Sequence, residues 1–307
     1  MNIDILHLIE GAKQAQGLTV IIDVFRAFST ACYVVRNGAK GIIPVGDVDL
    51  AYKLKEENPD YILMGERQGK MLPGFDYGNS PTEIQSVDFS GKTVIQTTSA
   101  GTQGFVNARS ADELITGSFV NAEAIVNYIK KRAPQKVSLV CMGTWAVKPN
   151  DEDSLCAKYI ADRLNNQKID TKKMYTQLRE SKTSRNFFDP EVTWAPQSDF
   201  ELCLSIGFCD FILKAEKNHN DLLVLKPEYT LTRINRKHEA RKTKFEMVRP
   251  AVRQAHGPEQ SRRTHHREPS RRANPKSKGS NTKNDTACEL KFLRLKFLRY
   301  SIVKMCY

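Results

Sequence analysis

The sequence predicts an α/β protein in which a mostly parallel or mixed sheet carries helices on both faces, in three layers. Short apolar runs rich in β-branched residues recur along the first 235 residues and alternate with stretches whose apolar residues have helical spacing. Most of the runs end in polar residues followed by helix-starting residues, as at the carboxyl edge of a parallel sheet. With 307 residues, 40% of them hydrophobic, the chain can bury such a core.

The first strand–helix–strand unit lies near the N-terminus. An apolar run at 18–22 predicts a buried strand that ends at Asp23 and Arg26. The pattern then reads helix, strand, helix and strand at 29–37, 41–45, 47–57 and 61–64, and Gly38 ends the first of these helices. A strand, a crossover helix and a second strand in this order predict parallel pairing.

The alternation continues through the middle of the chain. Strand patterns at 93–96, 113–118 and 136–141 alternate with helical patterns at 102–108, 121–131 and 154–164. The segment 183–197 contains Pro190, Trp194 and Pro196, which predicts a loop that covers part of the body. Residues 199–211 close the domain with apolar side chains.

The net charge of +12 is concentrated near the C-terminus. Residues 236–283 hold 15 Lys and Arg against four Glu, residues 284–307 add +3, and residues 1–235 carry −2. We therefore divide the chain into a catalytic α/β domain at 1–235 and a basic tail at 236–307, whose composition predicts disorder. The acidic body is not expected to bind nucleic acid or membrane.

Cysteine usage and hydropathy indicate the compartment. The seven cysteines are odd in number and form no CxxC pair, so reduced thiols are expected. No run of 18 apolar residues occurs, and the N-terminus lacks the features of a secretory signal. We expect a cytoplasmic protein. The sequence leaves its oligomeric state open, with a homo-oligomer as one option.

Charged and hydroxyl side chains follow the predicted strand ends. They are Asp23, Arg26, Glu66, Arg67, residues 97–102, Ser118, Asn121, Glu152 and Asp153. Because parallel strand ends share one edge, these groups are expected to meet in one cleft. Carboxylates suit Mg²⁺, and arginines fork onto phosphate, sulfonate or carboxylate oxygens. This set predicts metal-assisted phosphoryl transfer to water.

Simpler interpretations of two of these segments remain open. The hydroxyl-rich turn at 97–102 is also what a strand, a turn and a helix cap require. The acids at 151–153 also serve as caps and dipole partners of a helix, each worth about 0.3–1 kcal/mol. Neither GxGxxG after the first strand nor GxxxxGK[ST] occurs, so a dinucleotide or P-loop nucleotide site is not predicted.

Several motifs in order resemble the 2-phosphosulfolactate phosphatase family. They lie at 20–27, 65–67, 74–81 and 97–102, at 117–118 with Asn121, and at 152–153 before Cys156, and they cover about residues 1–220. The resemblance implies an α/β fold particular to that family. It also implies an Mg²⁺-dependent hydrolase that converts 2-phospho-3-sulfolactate to 3-sulfolactate and phosphate, a step in coenzyme M synthesis.

Roles for individual residues combine the strand-end pattern with this resemblance. The candidates for metal ligand or general base are Asp23, Glu66, Asp76 and Asp153, with Glu152 as a further ligand. Arg26 and Arg67 are predicted anion clamps. The expected substrate-binding residues are Asn79, Ser80, Thr97, Thr98, Ser99, Gly101, Thr102 and Asn121.

Two alternatives to this function remain. The substrate can be a related phosphorylated hydroxy acid, because the substrate's identity comes from the resemblance alone. The chain can instead be a non-catalytic α/β protein whose basic tail binds nucleic acid or membrane. The resemblance implies an end near residue 230 to 240, and residues 247–263 resemble translated bacterial repeat DNA, so we interpret the tail as a read-through extension.

Overall fold

A computed structural model describes residues 1–218 and 220–230. Its strands are β1 (Asn2–His7), β2 (Gly17–Ile22), β3 (Gly41–Pro44), β4 (Ile62–Arg67), β5 (Lys70–Met71), β6 (Thr93–Thr97), β7 (Ala111–Gly117), β8 (Lys136–Cys141), β9 (Phe211–Lys217) and β10 (Leu223–Tyr229). Its helices are α1 (Leu8–Gln14), α2 (Ala27–Arg36), α3 (Val48–Glu57), α4 (Pro81–Ile84), α5 (Gly101–Asn107), α6 (Ala122–Arg132), α7 (Asp151–Leu164), α8 (Thr171–Glu180) and α9 (Gln197–Cys203).

The strands form one mixed sheet in the order β1-β8-β2-β7-β9-β10-β3-β6-β4-β5. Strands β1, β8, β2 and β7 are parallel to one another, and so are β3, β6 and β4. The hairpin β9–β10 joins these two parallel groups, since β9 pairs antiparallel with β7 and β10 with β3. The predicted α/β class with a mostly parallel or mixed sheet is confirmed.

Helices cover both faces of the sheet, and β2 shows why its sequence is apolar throughout. Val20 and Ile22 pack into a core with Ile125 of α6, whereas Ile21 between them packs on the other face with Phe28 of α2. All five side chains are buried. A strand covered on both faces needs apolar residues at every position, which explains why a continuous run predicted it correctly.

Helix α2 brings the two parallel groups together. Four strands separate β2 from β6 in the sheet, yet the Nε2 of Gln96 in β6 donates to the carbonyl of Ala27 at the start of α2, at 3.0 Å. Asp23, which follows β2, also contacts Gly101 at the start of α5. The strand ends of the two groups therefore border a common region.

Several elements were not predicted. The edge strand β1 and helix α1 are partly exposed, and the hairpin β9–β10 carries Lys214 and Glu216 between apolar residues, so neither region shows the continuous apolar run that marks the buried strands. Helix α8 was also missed. The predicted loop at 183–197 is confirmed, apart from a short 3₁₀ turn at Arg185–Phe187.

Five cysteines lie in the described residues. All five are buried, and none of them forms a disulfide, as predicted. No helix among residues 1–218 and 220–230 has the length and apolar character to cross a membrane. The predicted domain boundary at 235, the basic tail and its read-through interpretation fall outside the described residues.

Candidate active site

Asp23 lies where β2 meets α2 and is nearly completely buried. Its Oδ1 accepts a hydrogen bond from the Ala27 N–H at 3.1 Å, and its carboxylate also accepts from the Gly101 N–H. A Cβ on Gly101 would lie 2.8 Å from Asp23 Oδ2, closer than side chains pack. Position 101 therefore requires glycine, because the start of α5 approaches the carboxylate closely.

Asp153 joins two strand ends to the first turn of α7. Its Oδ1 accepts from the Val24 N–H and its Oδ2 from the Gly143 N–H, each at 2.8 Å. The helix cap is a different residue, because Asn150 Oδ1 accepts from the Asp153 N–H at 3.1 Å. Asp153 is buried and holds the loop after β8 against the end of β2. A simple capping role does not account for it.

Glu152 is buried beside Asp153 and contacts the covering loop. Its Oε2 accepts a hydrogen bond from the Thr183 hydroxyl at 2.6 Å. Asp151, the preceding acid, is exposed. Of the three acids that begin α7, two therefore point inward, and the helix-dipole interpretation suits only Asp151.

The negative charges of the buried carboxyls of Asp23, Glu152 and Asp153 repel one another, and burial together with this repulsion raises their pKa values. Burial, then the charge of Asp153 and that of Glu66, raise the pKa of Asp23 well above its usual range. Burial and the charge of Glu152 raise the pKa of Asp153 to about 7. Burial raises the pKa of Glu152 to about 7, against the lowering effect of the Thr183 hydrogen bond. Such a cluster favours a bound cation or bound protons, and perturbed groups of this kind are typical of functional sites.

Glu66 connects the turn after β4 with the turn after β6. Its Oε1 accepts from the Ser99 N–H at 2.7 Å, and its Oε2 accepts from the Ser99 hydroxyl at 3.0 Å and from the Gly69 N–H at 2.6 Å. The carboxylate is buried. Glu66 thus belongs to the same region as Asp23, but much of its hydrogen-bonding capacity holds these two turns together.

The hydroxyl-rich turn divides into two parts. Thr98 and Thr102 bond each other: Thr102 Oγ1 accepts from the Thr98 N–H at 2.8 Å, and Thr98 Oγ1 accepts from the Thr102 N–H at 3.1 Å. Both are buried, so the structural interpretation describes their side chains. Thr97 and Ser99 instead face charged groups, namely Arg67 and Glu66.

Arg67 is half-buried beside this turn. Its Nη2 donates to Thr97 Oγ1 at 2.8 Å and to the Gly46 carbonyl at 3.1 Å, and its Nη1 donates to the Glu66 carbonyl at 2.7 Å. Burial lowers the pKa of the guanidinium, against the opposing effect of Glu66. Because the side chain is partly exposed at the strand ends, Arg67 remains the candidate for binding an anion.

Arg26, a predicted anion clamp, instead bonds groups of the protein itself. The guanidinium is buried, and its Nη1 donates to Asp199 Oδ2 at 2.6 Å and to the Trp194 carbonyl at 2.7 Å. Its Nη2 donates to the Gly69 carbonyl at 3.5 Å. These contacts hold Arg26 inside the protein, where it links the covering loop to the strand ends.

The structure does not bring Asp76 to this cluster. Asp76 Oδ2 accepts from the Leu63 N–H at 2.8 Å and lies 3.4 Å from Lys55 Nζ, and the side chain is 42% exposed. Leu63 precedes Glu66 by three strand residues, roughly 10 Å. The carboxylate fixes the loop after β5 alongside β4, which is a structural use of the residue.

The remaining predicted binding residues serve mainly local structure. Ser80 Oγ donates to Asp199 Oδ1 at 2.8 Å and accepts from the Glu83 N–H, capping α4. Asn121 Oδ1 accepts from the Ser118 N–H at 3.0 Å. Asn79 is different, because its buried Oδ1 has no hydrogen-bond partner among the described residues.

Sequence reasoning missed three contributors to this region. Asp199 bonds Arg26 and Ser80, Thr183 bonds Glu152, and Gly69 bonds Glu66. Thr183 and Asp199 do not follow a predicted strand, Gly69 in the turn after β4 has no side chain to mark it, and Asp199 is 173 residues from Arg26 in the chain. The signal that was available is the density of Trp and Pro in the covering loop, which indicates contact with the body but not the identity of its partners.

The buried carboxylates could hold a magnesium ion that takes few protein ligands. Across residues 1–218 and 220–230, no group of three or more acidic, His or Cys side chains is arranged to hold a metal ion. Mg²⁺ does not need such a cage, since it is commonly bound by one or two carboxylates together with water and substrate phosphate. Asp23 and Asp153, whose charges repel each other, are the two carboxylates that could hold such an ion.

Comparison with known proteins assigns the family. The family model for 2-phosphosulpholactate phosphatase matches residues 3–218. A protein of Caldicellulosiruptor saccharolyticus named "Probable 2-phosphosulfolactate phosphatase" is 42% identical over 147 residues, which are 47% of this chain and 60% of the relative. A protein of Thermoplasma acidophilum with the same name is 32% identical, over 64% of this chain and 84% of the relative. A third, from Bacillus subtilis, is 29% identical, over 66% of this chain and 88% of the relative.

The family match covers every site residue described above, whereas the first of these relatives is matched over about three fifths of its length. The motifs that suggested the resemblance all lie within the matched region. The chain therefore belongs to the 2-phosphosulpholactate phosphatase family.

Proposed function

We propose that this protein is an Mg²⁺-dependent phosphatase that hydrolyses 2-phospho-3-sulfolactate to 3-sulfolactate and phosphate, a step in coenzyme M synthesis. The observation that carries the proposal is the buried cluster of Asp23, Glu152 and Asp153, whose carboxyl pKa values are raised at the sheet edge that Arg67 borders. The names of the relatives support the substrate. Free buried cysteines support action in the cytoplasm.

Asp23 and Asp153 are the residues that would hold the metal. When bound, Mg²⁺ would neutralise charge on the phosphoryl oxygens. The backbone N–H groups of Val24, Ala27 and Gly143 keep the two carboxylates in fixed positions. Pre-positioned charge of this kind lowers the barrier without reorganisation during the reaction.

Glu152 is the candidate general base. A base is most effective when its pKa lies near the working pH, and the pKa of Glu152 is raised to about 7 by burial. The Thr183 hydroxyl orients one carboxylate oxygen, and the other is the atom proposed to accept a proton from the attacking water. Burial beneath the covering loop limits the access of other water molecules.

Arg67 would orient the substrate through one of its anionic groups. The proposed substrate carries a phosphate, a carboxylate and a sulfonate on three carbons. A guanidinium has five N–H donors, and the contacts with Thr97, Gly46 and Glu66 use three of them, so the remaining two can donate to one of these groups. Thr97 and the carbonyls of Gly46 and Glu66 hold the plane of the Arg67 guanidinium in place.

The substrate is tested by comparing phosphate release from 2-phospho-3-sulfolactate, 2-phospholactate and p-nitrophenyl phosphate at equal concentration with the full chain. We expect kcat/KM to be highest for the sulfonated substrate. Preferential hydrolysis of 2-phospholactate would instead identify a phosphatase of a related hydroxy acid. Equal rates with all three would contradict specific recognition of the sulfonate.

Arg67→Lys should raise KM for 2-phospho-3-sulfolactate about tenfold with a smaller change in kcat. A lysine ammonium keeps the charge but has three donors in place of five, so it cannot both keep the contacts of Arg67 with Thr97, Gly46 and Glu66 and bind the anion in the same way. Steady-state kinetics of phosphate release measure this effect. Arg132→Lys is the matched control, because Arg132 pairs with Glu113 on the protein surface. An unchanged KM in Arg67→Lys would make Arg67 a structural residue.

A further inference from the structure

Asp199 is a completely buried carboxylate in the first turn of α9. Its Oδ1 accepts from the Ser80 hydroxyl at 2.8 Å and from the Thr82 N–H at 2.9 Å, and its Oδ2 accepts from Arg26 Nη1 at 2.6 Å. The residue therefore joins α9 to the start of α4 and to the turn between β2 and α2.

Arg26 extends this connection to the covering loop and to the turn after β4. Besides Asp199, its guanidinium bonds the Trp194 carbonyl at 2.7 Å, lies 5.6 Å from the centre of the Trp194 ring, and donates to the Gly69 carbonyl at 3.5 Å. Asp199 balances the charge of Arg26, which is otherwise bonded only to neutral groups here. The ion pair thus holds Trp194 and Gly69 on the same guanidinium.

Gly69 transmits this arrangement to the site. A Cβ at position 69 would lie 2.5 Å from the Trp194 ring, so the ring packs directly on the glycine backbone. On its other side, the Gly69 N–H donates to Glu66 Oε2 at 2.6 Å. Glu66 in turn holds the Ser99 turn through both carboxylate oxygens.

We propose that Asp199 is a positioning residue of the phosphatase site. Through Arg26 it fixes the Trp194 ring against Gly69, and it thereby holds Glu66 and the Ser99 turn next to Arg67. This role rests on the proposed function and deepens it. It goes beyond the strand-end residues, because Asp199 acts from a helix without touching the substrate.

Positioning can be separated from general support of the fold. A buried ion pair replaced as a pair by apolar residues of similar size commonly leaves stability unchanged or improved, whereas removal of one partner is strongly destabilising. The double variant Arg26→Met with Asp199→Leu therefore keeps a packed core but loses the guanidinium contacts to Trp194 and Gly69. A purely structural pair would leave the activity of this folded variant intact.

The test uses full-length protein carrying Trp145→Phe, which leaves Trp194 as the single tryptophan of the two in the chain. We expect the double variant to retain its Tm within a few degrees, to show red-shifted Trp194 emission with stronger acrylamide quenching, and to lose at least tenfold in kcat/KM. Glu201→Gln, an exposed substitution on the same helix, is the control and should change none of these.

The proposal is overturned if the folded double variant keeps kcat/KM within twofold of its parent, or if Trp194 stays equally shielded. Should the double variant not fold, Trp194→Leu in the otherwise native chain decides, because it leaves the ion pair and removes only the ring over Gly69. A tenfold loss supports positioning and full activity refutes it. If the parent releases no phosphate at all, the proposed function fails, whereas unchanged Trp194 shielding in the double variant overturns the positioning role of Asp199 whatever the activity.

Discussion

Asp23→Asn is expected to lower kcat/KM for phosphate release about a hundred- to a thousandfold in a protein that remains folded. The loss of one pre-positioned charged or polar group in an enzyme site typically has this magnitude. The asparagine has nearly the same shape as the aspartate. It also removes a negative charge that the charges of Asp153 and Glu66 repel. It also loses one of the backbone hydrogen bonds from Ala27 and Gly101, so we expect little net change in Tm.

Asp76→Asn is the matched control for this substitution. Asp76 carries the same functional group in another of the family motifs, but it is 42% exposed and bonds Leu63 and Lys55 away from the cluster. Its replacement should leave kcat/KM within about threefold. Equal losses in the two variants would show that the cluster at the β2 end is not the reacting site.

The metal-free protein should become less stable as the pH rises from about 4.5 to 7.5. Burial raises the folded-state pKa of Glu152 and of Asp153 to about 7, whereas both carboxyls titrate near 4 when unfolded. Between these values the folded state holds the extra protons, so the free energy of unfolding decreases with pH and levels off above about pH 7.5. Each of the two carboxyls is expected to contribute on the order of 3 kcal/mol to this decrease.

Urea unfolding in a chelator across this pH range measures the decrease. Glu152→Gln should flatten the curve, because it removes one titrating group and lowers the repulsion on Asp153. Added Mg²⁺ should restore stability at pH 8 more than at pH 5, since a cation competes with the protons. A stability that rises from pH 5 to pH 8 in the chelator would contradict the description of these carboxyls.

The buried strands were predictable because their residues pack on both faces. The apolar runs at β2, β3, β6 and β8 left no other simple interpretation, and parallel pairing followed from the helices between them. The hairpin β9–β10 was not predictable in this way. It lies between the two parallel groups, and its pairing with β7 and β3 depends on contacts across most of the chain.

The site was predictable to the extent that chemistry follows strand ends. Asp23, Glu66 and Asp153 come together for two reasons. Parallel strands place their carboxyl ends along one edge of the sheet, and α2 contacts both sets of parallel strands. Arg26 follows the same rule in sequence but pairs with Asp199, which no local pattern marks. A long-range ion pair becomes visible only in the folded chain.

The most direct test of the phosphatase assignment is phosphate release from 2-phospho-3-sulfolactate by the full chain, measured with Mg²⁺ and then after addition of EDTA. We predict release that stops with the chelator, resumes when Mg²⁺ is returned in excess, and is lost in Asp23→Asn. Folded wild-type protein that releases no phosphate with Mg²⁺, or that releases it equally in EDTA, would contradict the proposed Mg²⁺-dependent reaction.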